Sequence, residues 1–92
     1  MNDLINDEEK TLYGKVWQRW KDLQFIMLFE EMSELQKEIC KQYRGKGDNE
    51  AIAEEIADVQ IMLDQMKLRY GEERCGRYKK AKLARLAAIV ED

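Results

Sequence analysis

The chain has no histidine and no proline, only two cysteines, and no apolar run longer than five residues, as at Phe25 to Phe29. Without histidine there is no Ser-His-Asp or Cys-His catalysis, no HExxH zinc site and no di-iron bundle built on Glu and His. Zero proline with five glycines, 38% charged and 45% apolar residues suits an all-α protein better than a sandwich or barrel, which needs many turns. The apolar runs fall far short of the ~20 residues that span a bilayer. The opening MNDLINDEEK is acidic, whereas a signal peptide is basic and then apolar. A cytoplasmic protein with no membrane role is expected. Cys40 and Cys75 lie far apart without CxxC spacing, which predicts free thiols.

What is present is a short, highly charged chain of 92 residues, with 16 Lys and Arg against 19 Asp and Glu and a net charge of −3. That length gives a single domain over 1–92. A monomer of this size buries only about 60 to 65% of the surface its unfolded chain exposes, so oligomerisation is expected. Glycine-bearing stretches at Arg44-Gly45-Lys46-Gly47-Asp48 and Gly71 to Gly76 separate segments of helical composition. A further break near Trp20-Lys21-Asp22, with Asp22 as a cap, predicts four helices at roughly 3 to 19, 23 to 43, 49 to 70 and 74 to 90. Asp48 or Asn49 is the natural cap of the third. Short connections imply antiparallel neighbours and a four-helix bundle.

At ~100° per residue, Ile52, Ile56, Val59, Met62, Leu63 and Met66 form one apolar stripe of the third helix, with Glu55 inside it and Asp58 at its margin. The second helix is apolar through Phe25, Leu28, Met32, Leu35 and Ile39, and Ile26, Met27 and Phe29 extend that character around its first half. A helix wet on one side does not need this. Contacts with more than one neighbour follow, and a homodimer or homotetramer is predicted, built through the first two helices.

Glu30, Glu31, Glu34 and Glu38 share one short window, and Glu50, Glu54, Glu55 and Asp58 another. Surface acids usually alternate with Lys in i, i+4 pairs. Here Glu31 with Glu34, and Glu55 with Asp58, are like-charged i, i+3 pairs that repel unless something positive lies between them. An ionised carboxylate inside an apolar stripe costs several kcal/mol unless paired. An all-oxygen set without His or Cys suits a hard ion, Mg²⁺ or alternatively Mn²⁺, with phosphate oxygens completing the shell. The competing readings are a solvated acidic face, or carboxylates paired with the basic tail.

The pattern EExxE at Glu30-Glu31-Met32-Ser33-Glu34, followed by ExxD at Glu55-Ile56-Ala57-Asp58, resembles the MazG-like all-α nucleoside triphosphate pyrophosphohydrolases. Trp20, Gln24, Arg44-Gly45-Lys46 and Lys82-Leu83-Ala84-Arg85-Leu86 extend the likeness to small single-domain members, over roughly residues 16 to 86. The resemblance implies a MazG-like bundle that hydrolyses an NTP or dNTP between the α and β phosphates, giving monophosphate and pyrophosphate, a nucleotide-pool cleansing activity. It implies Glu31, Glu34, Glu55 and Asp58 as Mg²⁺ ligands and Glu30 as the catalytic group that orients or deprotonates the attacking water.

Six of the sixteen positive charges crowd into the last helix, where Lys82 and Arg85 share a face and are candidates for phosphate contacts. In larger relatives a Lys-aromatic-x-Arg stretch, often preceded by Asn, does this; here Lys80 stands at the Asn and Leu83 at the aromatic. Gln24 is a candidate for reading a base edge, and Tyr13, Trp17, Trp20 and Tyr43 for stacking on a base. Two alternatives stand beside this reading: a non-enzymatic helical interaction module, and a related pyrophosphohydrolase for dUTP, dCTP or phosphoribosyl-ATP. Nucleic-acid binding is not expected of an acidic chain with so short a basic patch.

Overall fold

The computed structural model describes residues 4–91, and the described residues are helical with no strands. Four helices follow one another as α1 (Asp7–Trp20), α2 (Leu23–Tyr43), α3 (Asn49–Tyr70) and α4 (Glu72–Glu91).

Each boundary has a local cause. The first helix starts at Asp7 rather than near residue 3, because Asn6 terminates it with a capping box: the Asn6 side chain accepts from the Glu9 N–H at 2.8 Å and the Glu9 carboxylate accepts from the Asn6 N–H at 2.9 Å. Asp3, the expected start, lies outside the described residues. Asp7, Glu8 and Glu9 then place negative charge at the positive end of the helix dipole.

Between α1 and α2 the expected cap, Asp22, makes no capping hydrogen bond. The turn is instead held by backbone, with the Gln24 N–H donating to the Lys21 carbonyl at 3.0 Å and the Phe25 N–H to the Asp22 carbonyl at 3.1 Å. Lys21 takes a φ of +48° to make this corner. Asp48 does cap α3, accepting from the Glu50 N–H at 2.9 Å. In the loop before it, Gly47 passes so close to Gln42 that a Cβ would overlap the Gln42 backbone.

The fourth helix begins at Glu72, two residues earlier than expected, because Gly71 alone forms the joint. Its φ of +112° turns the chain, its N–H closes α3 on the Lys67 carbonyl, and its own carbonyl accepts the first bond of α4 from Cys75. Gly76 lies within α4, as the expected start near residue 74 requires.

Helices α2 and α3 pack along each other as an antiparallel pair, α4 meets α3 much less, and α1 meets α2 less again. Side chains fasten α1 to the C-terminal half of α3. The Arg69 guanidinium stacks 4.3 Å from the Trp17 ring centre, and Trp17 meets Phe25 of α2 edge-on at 5.6 Å. Tyr13 donates its hydroxyl to Asp64 at 3.3 Å. Ile5 is buried, and its N–H donates to the Glu72 carboxylate at 2.7 Å, while Lys10 pairs with the same group at 3.7 Å.

The apolar core is small: Ile5, Tyr13, Val59, Met62 and Met66. The buried face of α3 runs through Val59, Met62, Gln65 and Met66, turned by about 60° from the centre of the apolar stripe. Ile56 and Leu63, expected in the core, are 42% and 43% exposed, because α4 leaves at Gly71 instead of folding back over them. The radius of gyration is 15.7 Å, against about 12 Å for a compact domain of this length. Both cysteines are free, and no described helix is long and apolar enough to cross a membrane.

Candidate metal centre

Glu55 and Asp58 sit one turn apart on the same side of α3, a consequence of i, i+3 spacing. The antiparallel packing of α2 sets Glu31 opposite them. One carboxylate oxygen from each of the three residues lies within 4.8 Å of the others. Glu31 and Glu55 are half-buried and Asp58 is exposed, so the group opens to solvent on one side. One oxygen of Glu55, Oε2, is buried and has no hydrogen-bond partner. A buried carboxylate oxygen left unpaired is a costly arrangement in a chain of this size.

The electrostatics point the same way. Burial raises the Glu31 pKa above its ordinary value, and the charges of Asp58 and Glu55, together with hydrogen bonds to both, raise it further. The surroundings deepen the negative field: from Leu23 to Gln36 and from Asn49 to Met66 the two helices carry eight carboxylates and no lysine or arginine. That stretch without cations is the sequence signal that counting acids alone overlooks; Asp64, at its end, pairs with Lys67 just beyond it at 3.8 Å.

Of the four expected ligands, the structure gathers Glu31, Glu55 and Asp58; Glu34 is exposed and lies outside the group. Glu30 is exposed on the neighbouring position of α2. Glu38 is engaged by Lys41 at 2.9 Å, one turn along the same helix. Gln24 is 4% exposed, buried in the first turn of α2.

Lys82 and Arg85 stand on the exposed length of α4, where Lys82 helps to line an open groove with Tyr70 and Tyr78. Tyr70 follows Asp58 by twelve residues, which is about 18 Å along α3. Of the aromatic candidates, Tyr13 and Trp17 are taken up in fastening α1, while Trp20 and Tyr43 are exposed.

Three convergent carboxylates without nitrogen or sulfur donors match the preference of a hard divalent cation, and they leave positions in a six-coordinate shell for water and phosphate oxygens. A cation held there would also offset the mutual repulsion of the three carboxylates. In comparisons with protein-family models, curated proteins and solved structures, the chain matches none.

Proposed function

We propose that the protein is a Mg²⁺-dependent nucleoside triphosphate pyrophosphohydrolase, converting an NTP or dNTP to the monophosphate and pyrophosphate. The observation that carries the reading is the convergence of one carboxylate oxygen each from Glu31, Glu55 and Asp58 within 4.8 Å, with a second observation in the buried Glu55 Oε2 that has no hydrogen-bond partner. The resemblance of Glu30 to Glu34 and of Glu55 to Asp58 to the MazG-like motifs adds the substrate class.

In this reading Glu31, Glu55 and Asp58 would hold the ion, and Glu34, on the turn after Glu31, is the fourth carboxylate that the motif assigns to it. A Mg²⁺ ion bound there would supply Lewis-acid polarisation of a phosphate oxygen and charge neutralisation for the leaving pyrophosphate. The work left to the chain is to hold the triphosphate and handle one proton. With no histidine, Glu30, the exposed carboxylate next to Glu31 in sequence, is the group assigned to accept the proton of the attacking water. Lys82 and Arg85 serve as phosphate contacts once α4 is brought to the site. The reading places the enzyme in the cytoplasm as a homo-oligomer.

The test is pyrophosphate release from a panel of ribo- and deoxyribonucleoside triphosphates, with and without Mg²⁺, beside the Glu55→Ala protein. Metal-dependent release lost in the variant supports the reading. Silence across a panel that includes dUTP, dCTP and phosphoribosyl-ATP, from a folded protein, favours a helical interaction module instead.

A further inference from the structure

The last helix is the part of the molecule that a monomer leaves unexplained. From Gly76 to Glu91 every residue of α4 is exposed. Yet the helix is amphipathic: at 100° per residue Tyr78, Lys82, Arg85, Leu86 and Ile89 share one face about 100° wide, and Arg77, Lys80 and Ala84 lie behind it. Tyr78, Leu86 and Ile89 are 55% to 63% exposed. An isolated helix of this length is marginal in water, and helices in proteins draw most of their stability from burying such a face. An open groove of about 580 Å³, lined by Tyr70, Tyr78, Lys82, Leu83 and Leu86, runs along it.

The chain cannot cover this face itself. Two helices joined as a hairpin need a connection of about two to five residues. The α2–α3 pair has one, at residues 44–48, whereas α3 and α4 are joined by Gly71 alone, so α4 departs from the body of the fold. The surface of the chain is 7723 Å², about 2,000 Å² more than the ~5,600 Å² of a compact monomer of this mass. An excess of that size on each of two copies is in the range that permanent homodimers bury.

Charge says what the cover is. Residues 74–85 carry six positive charges and no acid, while the long acidic stretches of α2 and α3 carry no cation. The acidic side has exposed apolar residues of its own, since Ile26, Phe29 and Glu30 lie on one outward face of α2 and Ile56 is exposed on α3. Each surface mixes large apolar side chains with charge of one sign, and the signs are opposite. A membrane is a poorer match, because Lys82 sits in the middle of the apolar face, between Tyr78, Leu86 and Ile89, where acyl chains would receive it.

We propose that α4 is an intersubunit element: its apolar and basic face packs across the acidic α2–α3 face of a second copy of this chain. The exchange is reciprocal, as a two-fold interface requires. It sets Lys82 and Arg85 of one copy against the acidic surface that includes Glu30 and Glu34 of the other. The interface stands on exposure and charge, independently of the reaction proposed above.

The experiment is a charge exchange read by light scattering and sedimentation, with circular dichroism to verify helix content. The unaltered protein is expected to run at twice 11.0 kDa. Lys82→Glu with Arg85→Glu, and separately Glu30→Lys with Glu34→Lys, should each weaken self-association by on the order of a hundredfold or more through like-charge contact. Mixing the two altered proteins should restore the dimer, because each basic surface then faces an acidic one across the interface. Failure of the mixture to associate overturns the proposal, as does a dimer unmoved by either pair of substitutions. A monomeric unaltered protein that binds anionic phosphatidylserine vesicles through Lys82 and Arg85 overturns it in favour of a lipid surface. Since the readout is mass, a dimer without pyrophosphate release removes the enzyme reading alone, and a monomer that releases pyrophosphate removes the interface alone.

Discussion

The two ends of α3 are joined to their neighbours in different ways, and the difference sorts the molecule into a closed carboxylate group and an open arm. At its N-terminal end a five-residue loop lets α2 and α3 lie antiparallel, which brings Glu31 to Glu55 and Asp58. At its C-terminal end one glycine joins α3 to α4, and the basic helix leaves the body. Connection length decides which faces meet, and so where opposite charges in one sequence are able to meet at all.

The largest effect should come from the carboxylate side. Replacing Glu55 with Ala removes a buried oxygen that has no partner, so under the proposed function Mg²⁺-dependent pyrophosphate release should fall on the order of a hundredfold or more while thermal stability without metal holds or rises. A variant that loses folding along with activity would show instead that Glu55 supports the fold.

The two glycines sharpen the comparison, because they are required for different reasons. Gly47 is needed for space: a Cβ there overlaps the Gln42 backbone, and Gly47→Ala should cost about 2 to 3 kcal/mol by forcing the α2–α3 loop apart. Gly71 is needed for its dihedral, since a Cβ meets only the Arg74 side chain, no nearer than 3.4 Å, while φ stands at +112°. Gly71→Ala should cost about 1 to 2 kcal/mol. Chemical denaturation ranks the two, and the reverse order would locate the tighter constraint at the α4 joint.

The carboxylate group should also make stability depend on pH in a particular direction. The Glu31 pKa is raised on folding, so its contribution is fully present below the ordinary value of 4.5 and is lost as pH rises through the folded value. In EDTA, therefore, the melting temperature of the native protein should fall relative to Glu31→Gln as pH climbs from 4 towards neutrality, and Mg²⁺ should cancel the difference. Parallel curves for the two proteins would mean that Glu31 is not strained by its neighbours.

Away from the Glu31, Glu55 and Asp58 group, the attachment of α1 gives a smaller effect of the same sign. Burial, then the charges of Asp64 and Glu9, push the Tyr13 hydroxyl from 10.0 up to about 12. Its contribution is present below pH 10 and is lost as pH rises towards 12. Tyr13→Phe should cost about 1 kcal/mol at neutral pH, the worth of a single hydrogen bond, and should flatten the alkaline limb of the stability profile.

Much of this organisation is legible in the residues. The second and third helices are placed by Gly45, Gly47 and Asp48, and the pairing of Glu55 with Asp58 on one face follows from spacing alone. The burial pattern was not legible in the same way. Ile56 and Leu63 belong to the apolar stripe, but a stripe says which face prefers burial and not whether a neighbour arrives to cover it. The arrival of α4 depended on a connection, and the sequence reads a break from Gly71 to about residue 74 where the backbone bonds leave Gly71 alone as the joint and add Glu72 and Glu73 to the helix. Glu34 illustrates the same limit at the site, since it shares the motif with Glu31 but lies outside the group that the α2–α3 packing closes.

The corner between α1 and α2 offers the mildest test of how connections govern this fold. Lys21 is the only described non-glycine residue with positive φ, at +48°, a conformation that crowds its Cβ against the backbone. Its ammonium reaches the Gln18 carbonyl only at 3.5 Å, too long to offset much of that strain. The hydrogen bonds that hold the corner use its backbone groups, which glycine also has. Lys21→Gly should therefore stabilise the protein, by up to about 1 kcal/mol, because relief of strain in the folded chain outweighs the entropy that glycine adds to the unfolded one. A loss of stability would mean that the α1–α2 corner depends on the side chain of Lys21 and not on its backbone geometry.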